Sequence, residues 1–310
     1  MSTVADQVLV LANPKSGASS GRGLVSQLRE SLVAHNMHVH ICERLEELSA
    51  RTAQLAAAGT LRAVVAAGGD GTAAAVVNRV PRETPLVVFP LGTENLLAKY
   101  AGASRDIRAT TETILHGKPQ LLDAGLAGGR LFLIMLSCGF DAQVVQQVHA
   151  DREGHLNRWT YGKPIWRALR NYKYPLIDVE FGDGIGRERA AWLFAFNLPR
   201  YAANLSICPQ ACGTDGLLDV CTLARGGSWR GFYYLIHIWL GRHQRLVDFR
   251  THQVKRFRLS SVDQVAYQVD GDPGGVLPLE VEVLPRRFTL LVHSHGTHDG
   301  SGQHGHCLDR

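Results

Sequence analysis

The sequence predicts an α/β domain built on a parallel sheet, followed by a mostly antiparallel, β-rich second domain. Two observations carry this. Through residue 120, apolar strand-like runs alternate with helical periods, and beyond it short strand-like runs follow one another. A third is the punctuation of the first part, where three strand ends carry turn chemistry: NPKSG at 13–17, GGDGT at 68–72 and PLGTEN at 90–95. In parallel sheets covered by helices, ligands sit outside the carboxyl ends of the strands, where these turns fall.

Taken in order, strands are predicted over 7–12, 38–42, 62–67 and 86–89, with helices at 23–35, 45–58, 72–79 and 95–100. In the second part, strands are predicted over 131–136, 176–181, 191–197, 217–223, 254–259, 264–269, 279–284 and 288–292. Helices at 141–149, 159–172 and 228–240 interrupt them. The expected domains are 1–120 for nucleotide and 121–293 for substrate, with a last strand that can return to the first domain and a His- and Gly-rich disordered tail at 294–310.

The 310 residues are 45% hydrophobic and 20% charged, enough to bury real cores and unlike a disordered chain. A net charge of +5 favours anionic partners, but over this length it is not a nucleic-acid footprint. Six irregularly spaced cysteines and an N-terminus without a signal-peptide pattern fit a cytoplasmic protein. The longest apolar runs fall well short of the ~20 residues of a membrane-spanning helix.

GGDGT is the most informative segment. A buried strand ends in glycines and a helix begins, so backbone N–H groups and the positive helix end converge where a phosphate would bind. Asp70 would repel a bare polyphosphate unless a divalent cation stood between them, which points to phosphoryl transfer; alternatively, Asp70 caps the helix that starts at Gly71. Gly69, Gly71 and Ala74 also fit a dinucleotide GxGxxA pattern with Glu94 downstream, a fit that Asp70 opposes. In the other turns, Lys15 and Ser16 could meet phosphate oxygens, and Thr93 supplies a hydroxyl one strand after Thr72. Asp270, in QVDGDPGG, reads either as a plain Asp-Gly hairpin or as a base able to accept a hydroxyl proton.

The stretch 159–174 interleaves Trp159, Tyr161, Trp166, Tyr172 and Tyr174 with Lys163, Arg167, Arg170 and Lys173. It suits either an anionic bilayer surface or a helix with a solvated basic face. Cys208 and Cys212 are spaced C-x3-C without a partner pair, so a zinc site is not expected.

In this order NPKSG, GGDGT, PLGTEN, DGLLDV at 215–220 and QVDGD resemble the diacylglycerol kinase catalytic domain family, which includes sphingosine, ceramide and bacterial lipid kinases. The resemblance spans residues 7–292 and implies a two-domain fold like that of NAD kinases. It implies that Asn13, Ser16, Gly69, Gly71, Thr72 and Thr93 contact nucleotide phosphates, and that Asp70 belongs to the nucleotide and magnesium network. It also implies Asp270 as general base, with Asp272 in place of the usual Glu, and Asp215 and Asp219 as holders of a structural magnesium. Leu96 stands where bacterial diacylglycerol kinases carry an acid, a departure shared with sphingoid-base kinases.

The expected function is an ATP- and Mg²⁺-dependent kinase of a lipid hydroxyl, diacylglycerol or a sphingoid type. Its lipid would be met at a membrane surface, with peripheral association at the inner face. The rivals are a kinase of a soluble acceptor such as NAD or a sugar, an inactive nucleotide or lipid sensor, and a dehydrogenase resting on the small-residue spacing. Oligomeric state is not legible.

Overall fold

The computed structural model describes residues 5–12, 19–150, 162–182, 184–201 and 205–293. Asn13, Lys15, Ser16, Trp159, Tyr161 and the tail from residue 294 lie outside them. The chain divides into two compact units, Met1–Leu122 with Arg286–Arg310, and Asp123–Pro285.

In the first unit β1 (Gln7–Ala12), β2 (His38–Cys42), β3 (Leu61–Gly68) and β4 (Pro85–Pro90) form a parallel sheet in the order β2-β1-β3-β4. The end of β16 (Leu279–Val292) joins it beside β4, pairing Thr289 with Pro85 and Leu290 with Leu86. Two strands were expected where β16 runs unbroken, because Pro285 reads as a breaker in one dimension. Yet β16 carries 14 residues, with Pro285 at its middle.

Helices α1 (Ser19–Ala34), α2 (Leu45–Ala57), α3 (Asp70–Val77), α4 (Leu96–Tyr100) and α5 (Ile107–His116) accompany the strands. Val8, Val10, Val65, Val87 and Leu291 from the sheet bury against Leu28, Leu32 and Ile114 from the helices. The sequence reading left out α5, a Thr-rich helix. Asp106 caps it by accepting the Ala109 N–H at 2.7 Å, and Arg62 reaches the carbonyls of Ile114 and Leu115 at its end.

The second unit is built from antiparallel strands. One sheet runs β12-β11-β10-β7-β14-β15: Phe249–Val254, Leu218–Leu223, Trp192–Phe196, Met135–Gly139, Ala266–Val269 and Asp272–Val276. A second set pairs the first half of β16 with β13 (Arg256–Ser260), then β8 (Ile177–Phe181) and β9 (Gly186–Ala190). A short hairpin joins β5 (Lys118–Ala127) and β6 (Arg130–Phe132). Leu136, Leu193 and Val220 from the first sheet and Val179, Leu259 and Val281 from the second share one apolar core.

Strands β5, β9 and β12 are not among the predicted ones; GRERA and FRTHQV lie at sheet edges and are mostly polar instead of presenting an apolar face. The single strand expected at 131–136 is two strands, β6 and β7, broken at Leu133 and Ile134. Helices α6 (Phe140–Ala150), α7 (Gly162–Asn171) and α8 (Ser228–Trp239) complete the unit.

Candidate functional site

In the first unit the carboxyl ends of β1, β3 and β4 lie side by side, with Ala12 opposite Ala67 and Gly68 opposite Pro90. The turns after β3 and β4 touch through their glycines. A Cβ on Gly92 would fall 2.5 Å from the Cα of Gly69, so the backbones can approach this closely only without a side chain at position 92. Leu91 N–H donates to the Gly68 carbonyl at 2.9 Å. Asn95 closes the second turn. Its side-chain oxygen accepts the Gly92 N–H at 3.0 Å and its amide donates to the Gly92 carbonyl at 2.7 Å, while its own backbone takes the left-handed region at φ 49°. Arg105, absent from the sequence reading, clamps this turn by donating to the carbonyls of Pro90 and Gly92.

Asp70 ties the two turns together. One carboxylate oxygen accepts the Leu96 N–H and the other the Leu97 N–H, both at 2.9 Å. It therefore caps α4, the helix beyond the neighbouring turn, instead of the helix it opens. Burial raises its carboxyl above the ordinary range, and these two amides pull it back. Leu96, where an acid was expected by resemblance, has a buried side chain and a backbone N–H spent on Asp70. Gly71 is exposed at the start of α3, and Thr93 is exposed in the second turn. Thr72 is nearly buried beneath Gly68, its hydroxyl in the space a Cβ there would need.

In the second unit Asp270 and Gly271 join β14 to β15, so the hairpin reading of this segment holds. The same turn also presents a carboxylate. Asp270 sits at φ 50° and accepts the N–H groups of Leu133, Ile134 and Met135 at 2.8, 2.9 and 3.0 Å. Those three amides are available because the chain leaves β6 before it enters β7. Asn197, fully buried, holds that break by donating to the Leu133 carbonyl at 2.7 Å.

A buried polar network backs the turn. Gln268 accepts the Gly271 N–H at 2.8 Å and donates to Ser137 Oγ at 2.9 Å and Asp141 Oδ2 at 3.3 Å. Asp141 also accepts hydroxyls from Ser137, at 2.5 Å, and Tyr201. Burial pushes its carboxyl up, opposed by these three donors. Asp272 pairs with Arg130 at 2.7 Å and with His149 at 3.7 Å. Asp141, Gln268, Tyr201 and Asn197 come from separate elements, so no spacing in the sequence marks them as a set.

Asp215 and Asp219 lie near Asp123, a residue the sequence reading did not single out. Asp123 accepts the Gly216 N–H at 2.7 Å, and its charge adds to the burial that raises the Asp215 carboxyl. Asp219 is fully buried. Burial first, then the charge of Asp215, pushes it up to about 6, with the Gln253 amide and Cys208 thiol pulling the other way. Its Oδ2 has no N–H or O–H partner among the described residues. An orphaned carboxylate oxygen beside a second carboxylate fits a hard cation such as Mg²⁺. Among the described residues, however, no group of three or more His, Cys, Asp and Glu side chains is arranged to hold a metal.

The comparisons agree with this anatomy. Residues 7–127 match the diacylglycerol kinase catalytic domain, and 134–292 match the YegS C-terminal NAD kinase beta sandwich-like domain. The chain is 31% identical over 229 residues to a Pseudomonas putida protein named "Probable lipid kinase YegS-like", covering 70% of this chain and 73% of that one. It is 24% identical over 237 residues to a Bacillus subtilis diacylglycerol kinase, covering 74% and 77%. A crystal structure of a diacylglycerol kinase from Bacillus anthracis shares the fold, with a TM-score of 0.71 over 93% of this chain and 98% of that one at 19% identity. With two family domains matched end to end over a parallel-sheet unit and a β-sandwich unit, the chain belongs to the diacylglycerol kinase catalytic domain family, phosphotransferases with an alcohol group as acceptor.

Proposed function

We propose that this chain transfers the γ-phosphoryl group of ATP to the hydroxyl of a lipid, diacylglycerol or a sphingoid type, with Mg²⁺. The observation that carries the reading is the pair of glycine turns locked against each other at the ends of β3 and β4, with Asp70 fastening both. Backbone amides at Gly69, Gly71 and Thr93 would receive phosphate oxygens, and the exposure of Gly71 and Thr93 suits that role. Asn13 and Ser16, in the segment that follows β1 in sequence, would add contacts. Asp270 would accept the lipid hydroxyl proton, its carboxylate oriented by the amides of Leu133, Ile134 and Met135. Bound Mg²⁺ would neutralise phosphate charge; Asp70 suits the nucleotide-linked ion and Asp215 with Asp219 a structural one. The cytoplasmic face of a membrane is where such a lipid would be met.

The test is labelled ATP supplied with diacylglycerol, sphingosine, ceramide and monoacylglycerol in mixed micelles, and in parallel with NAD and with a panel of sugars, each with and without Mg²⁺. Label in one lipid product, dependent on Mg²⁺, is the expected result. Label in NAD or a sugar instead would replace the lipid reading, and ATP binding without transfer to any acceptor would make the chain a sensor.

A further inference from the structure

Helix α8 is apolar on both sides. One side packs inward: Gly231, Tyr234 and Ile238 are buried, Tyr234 stands edge-on to Trp192 at 5.8 Å, and its hydroxyl donates to Asp248 at 2.5 Å. Gly231 permits this seat, since a Cβ there would fall 2.5 Å from the Tyr174 hydroxyl. The opposite side should be polar in a surface helix. Instead it presents Trp229, Phe232, Tyr233, Ile236, Trp239 and Leu240, a stripe at helical spacing in which Trp229 is 87% exposed and Trp239 75%.

The charges around the stripe say what would cover it. From Ala224 to Val247 there is no Asp or Glu, while Arg225, Arg230, Arg242 and Arg245 are present. Arg225 and Arg230 face Asp248 at 3.9 and 3.5 Å; Arg242 and Arg245 are exposed beyond the end of the helix. The neighbouring α7 packs on α8 and exposes Trp166, Arg167 and Arg170. Tryptophans at both ends of an apolar stripe with arginines at its border match the polarity profile of a bilayer interface, rings at headgroup depth and cations on lipid phosphates. A second copy of the same face would set arginines against arginines, which opposes self-pairing.

We propose that the α8 stripe, with α7 beside it, is the surface by which this protein docks on an anionic lipid bilayer. The inference deepens the lipid-kinase reading, and rests on it, by naming where substrate is met; binding is measured without turnover, so either can fail alone. The full chain is floated with vesicles of phosphatidylcholine alone or with about 30% phosphatidylglycerol, and its oligomeric state is followed by sedimentation velocity. Expected is binding to the anionic vesicles that weakens with salt. The double variant Trp229→Glu/Trp239→Glu should reduce it at least ~10-fold, and Arg242→Glu/Arg245→Glu about 10-fold with a flatter salt dependence. Both variants should keep activity on a short-chain, monomeric lipid. Wild-type vesicle binding by the Trp variant overturns the proposal, as does failure of the wild type to bind anionic vesicles. A shift from dimer to monomer with vesicle binding intact also overturns it, in favour of a second copy.

Discussion

Asp70 and Asp270 are both turn carboxylates held by consecutive backbone N–H groups, yet they are held for different ends. Asp70 receives two amides from the first turn of the helix beyond the neighbouring glycine turn, so it fastens one loop to another. Asp270 receives three amides from a strand break, sits in a left-handed hairpin position, and has Gln268 and Asp141 behind its turn. The first arrangement spends the carboxylate on the shape of a binding loop. The second spends the surrounding fold on the aim of a carboxylate.

The sharpest way to break that comparison is Asp270→Asn. Asn tolerates the left-handed backbone, so we expect the fold to survive, with about 1–2 kcal/mol lost where its amide faces a donor. Turnover should fall at least ~100-fold, as for loss of a general base. Labelled-phosphate transfer and thermal melting on the same sample check this, and near-normal turnover would remove the base role.

Asp70→Ala should act on both stability and activity. Losing the cap on α4 costs about 1–2 kcal/mol, and turnover should again fall at least ~100-fold. A capping role alone would leave the loss in Asp70→Asn, which keeps one acceptor, no greater than its melting shift implies; a larger loss places Asp70 among the groups that attend the phosphates.

Gly92→Ala isolates the loop from the carboxylate. The added Cβ meets backbone 2.5 Å away, so the two turns must part, at a cost of about 1–3 kcal/mol. Weaker ATP binding by calorimetry, with Asp70 untouched, is the expected outcome. Unchanged affinity would mean the close approach of the turns is not what grips the nucleotide.

Asp219 extends the contrast to a carboxylate that no backbone amide orients. Its pKa in the fold, about 6, lies above the ordinary 3.8. Protonation therefore stabilises the fold fully below about pH 3.8, and that contribution is lost as pH rises through about 6. In chelator, Asp219→Asn should flatten this leg of the melting-temperature profile. At neutral pH, Mg²⁺ should raise the melting temperature of the wild type more than that of the variant. Equal shifts would dissociate Asp219 from the cation.

The alternating apolar runs of the first unit were legible almost to the residue: β1 and β2 occur as predicted, and β3, β4 and α2 differ by a residue or so at their ends. Strands β1, β3 and β4, buried on both faces, announce themselves by composition. The glycine turns were legible too, because clustered glycines after an apolar run mark a turn in the sequence itself. What escaped were β5, the polar edge strands β9 and β12, the Thr-rich α5, and every partner of Asp270 and Asp70.

By itself the sequence determined the strand and helix alternation of the first unit up to α4, the two glycine turns after β3 and β4, and the types of residue available for phosphate and proton chemistry, since these depend on local periodicity and on residue type at single positions. Only the tertiary structure decided that Asp70 caps α4 instead of α3, that the strand expected at 131–136 breaks to offer three amides to Asp270, and that α8 turns aromatic rings outward. Each of these is a pairing between residues far apart in the chain. Hydrogen bonds and burial depend on distance in space, which one-dimensional spacing does not contain.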